Sequence, residues 1–129
     1  MHDGDRQLLQ AHLDNAAESV VKPASGILRH DYLVPAGPYR EQWDWDGFFM
    51  ALALMQRKPA NAVYLRNWAL NYLEHADEDG RVPGCLTPEG PDSRVRQMKP
   101  FLAQGALLAS TALGDFTWYR THWDELQRI

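Results

Sequence analysis

The sequence predicts an all-α fold whose helices lie in two concentric rings. Segments with helical spacing follow one another along the chain, and they alternate between helices with one polar face and helices that are apolar on every side. A helix that is apolar all round must be surrounded by other elements, so even-numbered helices are expected inside and odd-numbered helices outside. No strand pattern competes seriously. Five helices are too few to close two rings, so residues 1–129 are expected to be a single partial domain.

The helix boundaries follow from apolar periodicity and from residues that start or stop helices. The first helix has an apolar face that includes Leu13, and the third is expected to keep Asn67 and Asn71 in water. Asp44 and Asp115 are suitable N-caps for the second and fifth helices. The predicted helices cover approximately residues 6–21, 45–56, 60–76, 98–113 and 115–129.

Two connections between these helices are irregular. Residues 77–92 carry three glycines and three prolines, which predicts an extended loop longer than the roughly 2–8 residues that join helices in simple bundles. Residues 26–37 predict an irregular segment with a short extended piece at 32–34. Loops of this length are usually functional or mobile.

Composition limits the classes of function. The net charge of −4 and the sequence pI of about 5.6 lack the basic character of a nucleic-acid-binding surface. The start of the chain lacks the apolar core of a signal peptide, and the longest apolar run, residues 48–55, is far shorter than the ~20 residues that cross a bilayer. We therefore expect a cytoplasmic protein with no nucleic-acid or membrane partner. The single cysteine, Cys85, is expected to pack within its loop.

A dense group of polar and aromatic residues precedes the second helix. Sugars offer hydroxyl groups for charged hydrogen bonds and apolar C–H faces for aromatic rings, so a sugar site needs both residue types close together. The carboxylates of Glu41, Asp44 and Asp46 would repel one another unless cations, amide donors or the hydroxyl groups of a ligand bound to them. The residues of this group, here the acidic cluster, are Tyr39, Arg40, Glu41, Gln42, Trp43, Asp44, Trp45 and Asp46.

Structural roles for the same residues stay open. Asp44 and Asp46 suit the start of a helix, one as N-cap and the other as an acid that complements the helix dipole. Trp43 and Trp45 could be ordinary core or interface aromatics. The density of the cluster favours a ligand.

A second chemically rich segment, residues 94–104, leads into the fourth helix. Arg94, Arg96 and Lys99 stand near a helix N-terminus, where the dipole disfavours cations. This placement indicates a carboxylate partner, in the acidic cluster or on a substrate, unless the segment is a solvated basic turn. Gln104 lies in an otherwise apolar helix, where a buried amide needs partners such as a sugar hydroxyl. Both segments precede inner helices and are expected at the same end of the fold.

The remaining chemistry-bearing residues give weaker signals. His75 ends the third helix, where a histidine can simply cap carbonyl groups. The five histidines pair with no other ligand at a metal-binding spacing, so we expect no metal and no cofactor. No phosphate-binding glycine motif is present.

Residues 35–49, PAGPYREQWDWDGFF, resemble the trehalase-type signature PGGRFxExYxWDSY. The closer resemblance is to glycoside hydrolase family 63, in particular its bacterial mannosylglycerate and glucosylglycerate hydrolases, through the form YxEQWDWD and the later MKPFxAQ. It runs from about residue 29 to residue 104. The positions in register with the trehalase signature are Pro35, Gly37, Glu41, Trp45 and Asp46.

The resemblance implies an (α/α)6 barrel, of which this chain would be the N-terminal part, and a small carbohydrate as substrate. It implies inverting hydrolysis by an acid and a base about 6.5–9.5 Å apart, both in later parts of the barrel. Asp46 would then orient water or bind sugar. The implied substrate-binding residues are Tyr39, Trp43, Trp45, Asp46, His75, Lys99 and Gln104.

Other functions stay open. Pro38 and Gly47 depart from the trehalase signature, which places glycerate glycosides ahead of trehalose. A trehalase-like or oligosaccharide α-glucosidase is the alternative within the same class. A non-catalytic helical module that binds carbohydrate or a partner is the alternative from another class. Self-association is expected if helices 48–55 and 101–113 lack neighbours.

Overall fold

The computed structural model describes residues 2–129 and contains five α-helices, as the sequence predicts. Single 3-10 turns at Pro59–Asn61 and Arg120–His122 precede the third and fifth helices. No helix in residues 2–129 is long and apolar enough to cross a membrane. The α-helices are α1, Asp3–Val20; α2, Asp44–Arg57; α3, Ala62–Leu73; α4, Leu102–Leu113; and α5, Trp123–Arg128.

Two small antiparallel sheets show that the all-α prediction is incomplete. The first sheet pairs β1 with β2, and the second has the order β3-β4-β5. Strands of two or three residues are too short for an alternating pattern, and only β2 was anticipated, as the short extended piece expected at 32–34. The predicted loop at 77–92 contains the β4–β5 hairpin. The strands are β1, Val21–Lys22; β2, Tyr32–Leu33; β3, Gln42–Trp43; β4, Cys85–Thr87; and β5, Gly90–Pro91.

Two predicted helix starts are wrong. Helix α4 begins at Leu102 and not near Met98, because Pro100 disfavours the helical conformation at Lys99 and the Met98 amide donates to the carbonyl oxygen of Val82 (2.8 Å). Helix α5 begins at Trp123 and not at residue 115. The carboxylate of Asp115 instead accepts hydrogen bonds from the amide and the hydroxyl of Thr117 (2.8 and 2.6 Å), which closes a local turn.

The core is built around the indole of Trp68 on α3. This side chain is 1% exposed, and its Nε1 donates a hydrogen bond to the carbonyl oxygen of Asp44 (3.1 Å). A Cβ atom at Gly47 on α2 or at Gly105 on α4 would lie 2.7 or 2.6 Å from the indole ring. Because these two glycines have no side chain, α2 and α4 can both pack directly against the Trp68 ring of α3.

The expected alternation of polar-faced and buried helices is wrong in two places. Asn67 and Asn71 were expected in water but are buried, because the segment before β2 covers that face of α3. The amide of Asn71 exchanges hydrogen bonds with the backbone of His30 (3.1 and 3.2 Å) and so satisfies polar groups of that segment. Conversely, Phe49 on α2 and Leu107 on α4 are exposed. Self-association through these apolar faces stays a prediction.

We expect Gly47→Ser, which restores the serine of the trehalase signature, to destabilise the protein. The new side chain would enter the space of the Trp68 indole, and such overpacking costs about 1–3 kcal/mol. Urea unfolding followed by circular dichroism measures the loss. Gly4→Ser on α1 is the matched control, since nothing lies within 4 Å of a Cβ at that position. Equal stability of the two variants would contradict this packing.

Candidate functional site

The acidic cluster and residues 94–101 meet side by side at the N-terminal ends of α2 and α4. Strand β3 holds the first segment against β4, and the amide of Gly84 donates to the carbonyl oxygen of Val95 (2.9 Å), which fixes the second. Two ion pairs and an aromatic contact then join the segments directly. They are Arg94 with Glu41 (3.0 Å), Lys99 with Asp44 (3.2 Å), and the rings of Phe101 and Trp45, whose centroids are 6.1 Å apart.

Asp44 lies at the centre of this junction. Its side chain is 1% exposed, and each carboxylate oxygen accepts a backbone hydrogen bond, Oδ1 from Trp45 (2.7 Å) and Oδ2 from Lys99 (2.8 Å). Its own amide donates to the carbonyl oxygen of Gly84 (2.8 Å). The predicted N-cap role of Asp44 is wrong, because Asp44 is the first residue of α2, Trp43 occupies the N-cap position and no side chain of residues 2–129 caps the helix. Asp44 instead joins α2 to the segment before α4.

Arg94 makes a second connection between the acidic cluster and residues 94–101. Its guanidinium contacts Glu41 and Asp92 and lies 5.0 Å from the centroid of the Trp43 ring. A hydrogen bond from the backbone amide of Arg40 lowers the pKa of Glu41, and the hydrogen bond from Arg94 adds to this shift. Two of the cations before α4 thus find their carboxylate partners in the acidic cluster, one of the two possibilities that the sequence left open.

Exposed aromatic rings adjoin these charges. Trp45 is 49% exposed and Phe49, one turn later on α2, is 47% exposed, with ring centroids 6.0 Å apart. Phe101 contacts both rings, and Nζ of Lys99 lies 5.1 Å from the centroid of the Trp45 ring. We call Trp45, Phe49, Lys99 and Phe101 the aromatic surface. It presents apolar faces beside a cation, and the exposed Asp46 follows Trp45 on the same helix.

The other predicted site residues are placed less favourably. Tyr39 is exposed, and Trp43 is half-buried beneath Arg94. Gln104 was expected to be a buried amide but is exposed, because its side of α4 is uncovered in this chain. Nδ1 of His75 lies 2.7 Å from the carbonyl oxygen of Asn71, the capping role that the sequence also allowed. Within residues 2–129, no side-chain hydrogen bond or ion pair joins Tyr39, His75 or Gln104 to the aromatic surface.

Two residues of this surface, Phe49 and Phe101, are not among the predicted site residues. Phe49 follows Trp45 by four positions, the spacing at which helical side chains share a face, so that signal was present. Phe101 belongs to the MKPF motif, and its ring stacks on Phe48 with centroids 5.0 Å apart and an interplanar angle of 14°. This long-range contact has no local signal.

Three grooves lie away from the aromatic surface. Two of them, of about 580 and 530 Å³, lie between α1 and α2, and the third, of about 330 Å³, lies between α4 and α5. None is lined by a residue of the aromatic surface. In residues 2–129, no group of three or more histidine, cysteine or acidic side chains is arranged to hold a metal ion.

Cys85 is buried in β4, and burial raises the pKa of its thiol to about 12. We expect the thiol to resist iodoacetamide at pH 8 in the folded protein and to react after unfolding in urea. In the unfolded chain the thiol loses its proton near its ordinary pKa of 9.0, whereas in the folded chain it keeps the proton up to about pH 12. The free energy of unfolding should therefore fall as pH rises from about 9 towards 12. Mass spectrometry measures how much of the Cys85 thiol iodoacetamide has labelled. Rapid labelling under native conditions would contradict the burial.

Comparison with known proteins gives one distant similarity. Over 102 residues, 77% of this chain, the sequence is 26% identical to a probable trehalase of Saccharomyces cerevisiae. The chain spans only 12% of the length of that protein. No family model and no solved structure matches the sequence. The match supports a distant relationship to a trehalase-like glycosidase.

Proposed function

We propose that the aromatic surface and the acidic cluster form one wall of the sugar pocket of an inverting glycoside hydrolase of the family 63 type. The observation that supports this most is the junction of the two segments that resemble the family. Each contributes aromatic rings and charges to the same surface, which is the combination that a sugar ring requires. The similarity to a probable trehalase agrees with this class of enzyme.

The residues of this wall would contact different parts of the sugar. The indole of Trp45 would stack on the apolar face of the sugar, and the carboxylate of Asp46 would bind a hydroxyl group or orient water. Trp43, Tyr39, His75, Lys99 and Gln104 complete the proposed substrate-binding set. The catalytic acid and base would come from other parts of the barrel, so residues 1–129 should bind a glycoside without cleaving it.

We propose a small glycoside such as glucosylglycerate or mannosylglycerate as the substrate. Pro38 and Gly47 support this choice over trehalose, because both depart from the trehalase signature. Trehalose or an oligosaccharide is the second candidate, favoured by the yeast match.

Isothermal titration of the protein with glucosylglycerate, mannosylglycerate and trehalose tests this proposal, together with an assay for released sugar. We expect saturable binding of a glycerate glycoside and weaker binding of trehalose. Preferential binding of trehalose would favour the second candidate. No binding of any of the three would contradict the proposed pocket. Cleavage by residues 1–129 that Asp46→Asn abolishes would show that the catalytic roles are assigned wrongly.

A further inference from the structure

We infer that Asp44 is a positioning residue for the sugar-binding wall, which holds Lys99 and Trp45 in place without touching the sugar. This inference rests on the proposed function. Asp44 is almost fully buried, so it cannot reach a ligand on the surface. Its two partners, Lys99 and Trp45, lie on that surface and are partly exposed.

The pattern of hydrogen bonds requires a carboxylate at this position. Oδ1 accepts from the amide of Trp45 and Oδ2 accepts from the amide of Lys99. An asparagine has only one acceptor oxygen, so in either orientation its NH₂ group would face one of these backbone donors. The two backbone donors therefore select an acid at this position.

The same carboxylate also fixes the side chain of Lys99. Nζ lies 3.2 Å from Oδ1 and 3.4 Å from Oδ2, so the lysine is held to Asp44 by both its backbone and its ammonium group. This places Nζ against the ring of Trp45. A buried carboxylate that loses its cation is costly, so the pair keeps one arrangement.

Little space exists for Asp44 to move. A Cβ atom at Gly84 would lie 3.0 Å from Oδ2 of Asp44, so the backbone of that loop already packs against the carboxylate. The longer Asp44→Glu side chain would have to displace this loop. The position therefore selects aspartate by both charge and length.

The test compares Asp44→Asn and Lys99→Met with Tyr72→Phe. The control removes a buried hydroxyl that bonds to the carbonyl oxygens of Gln42 and Gly84, so it lowers stability in the same region without contact to Lys99 or Trp45. Two quantities are measured: the Nε1–H resonance of Trp45 without ligand, and the affinity for whichever of the three glycosides the wild type binds.

We expect Asp44→Asn to shift the Trp45 resonance and to weaken glycoside binding about tenfold, as loss of a charged hydrogen bond predicts. Lys99→Met should shift the same resonance, and it keeps the test available if Asp44→Asn does not fold. Its affinity is not compared, because Lys99 itself belongs to the proposed substrate-binding set. Tyr72→Phe should change neither quantity. An unchanged Trp45 resonance in both variants, with unchanged affinity in Asp44→Asn, would overturn the positioning role while the proposed function stands. If the wild type binds no glycoside, the proposed function fails and this inference fails with it.

Discussion

Trp68→Ala is expected to cost about 3–5 kcal/mol of folding free energy, the range for removal of a large aromatic side chain from a core. The indole is 1% exposed and is enclosed by α2 and α4 at Gly47 and Gly105. Its loss would leave a cavity between three helices, and the carbonyl oxygen of Asp44 would lose its hydrogen bond. A loss of this size is a large fraction of the stability of an ordinary domain.

Chemical denaturation of Trp68→Ala and Trp45→Ala side by side measures this effect. Both variants lose the same side chain, but Trp45 is 49% exposed, so its removal should cost much less stability. A cost for Trp68→Ala no greater than that for Trp45→Ala would contradict the three-helix core.

The second large effect concerns binding. We expect Trp45→Ala to weaken glycoside binding by at least about 2 kcal/mol, or about 30-fold, because an aromatic anchor usually dominates such a surface. Asp46→Asn should weaken binding about tenfold or more, since it removes charged hydrogen bonds to the ligand. Isothermal titration with the same three glycosides measures both variants.

Trp123→Ala is the matched control for this experiment. Trp123 on α5 is 52% exposed, nearly the same as Trp45, but it lines the groove between α4 and α5 and not the aromatic surface. It should leave affinity unchanged. An equal loss in Trp45→Ala and Trp123→Ala would show that the effect is not specific to the proposed wall.

Much of the helical framework could be predicted from the sequence because α1 and α3 show an apolar period and α2 and α4 are long, nearly continuous apolar runs. The exception is α5, whose periodicity begins at Phe116 although the helix begins only at Trp123. There the side chain of Asp115 serves a local turn. The sheets could not be predicted, since their strands are too short for alternation and their pairing joins distant segments.

The ion pairs of the candidate site could be predicted from the charges in the sequence. Cations expected near a helix N-terminus predict carboxylate partners, and Arg94 and Lys99 do pair with acids. Because α4 begins only at Leu102, however, Arg94 lies too far from the helix for its dipole to be the cause. Burial of single polar residues was not predictable. The sequence places Asn71 on a polar helix face and Gln104 in an apolar helix, yet only Asn71 is covered, because a segment more than 40 positions away along the chain lies over it.

Nuclear magnetic resonance titration of the five tryptophan indole groups with glucosylglycerate, mannosylglycerate and trehalose tests most directly whether the two joined segments form a sugar-binding surface. The proposed wall predicts saturable shifts of the Trp45 Nε1–H resonance, with the resonances of buried Trp68 and distant Trp123 unchanged. Shifts confined to Trp123, or no shift with any of the three glycosides, would contradict it.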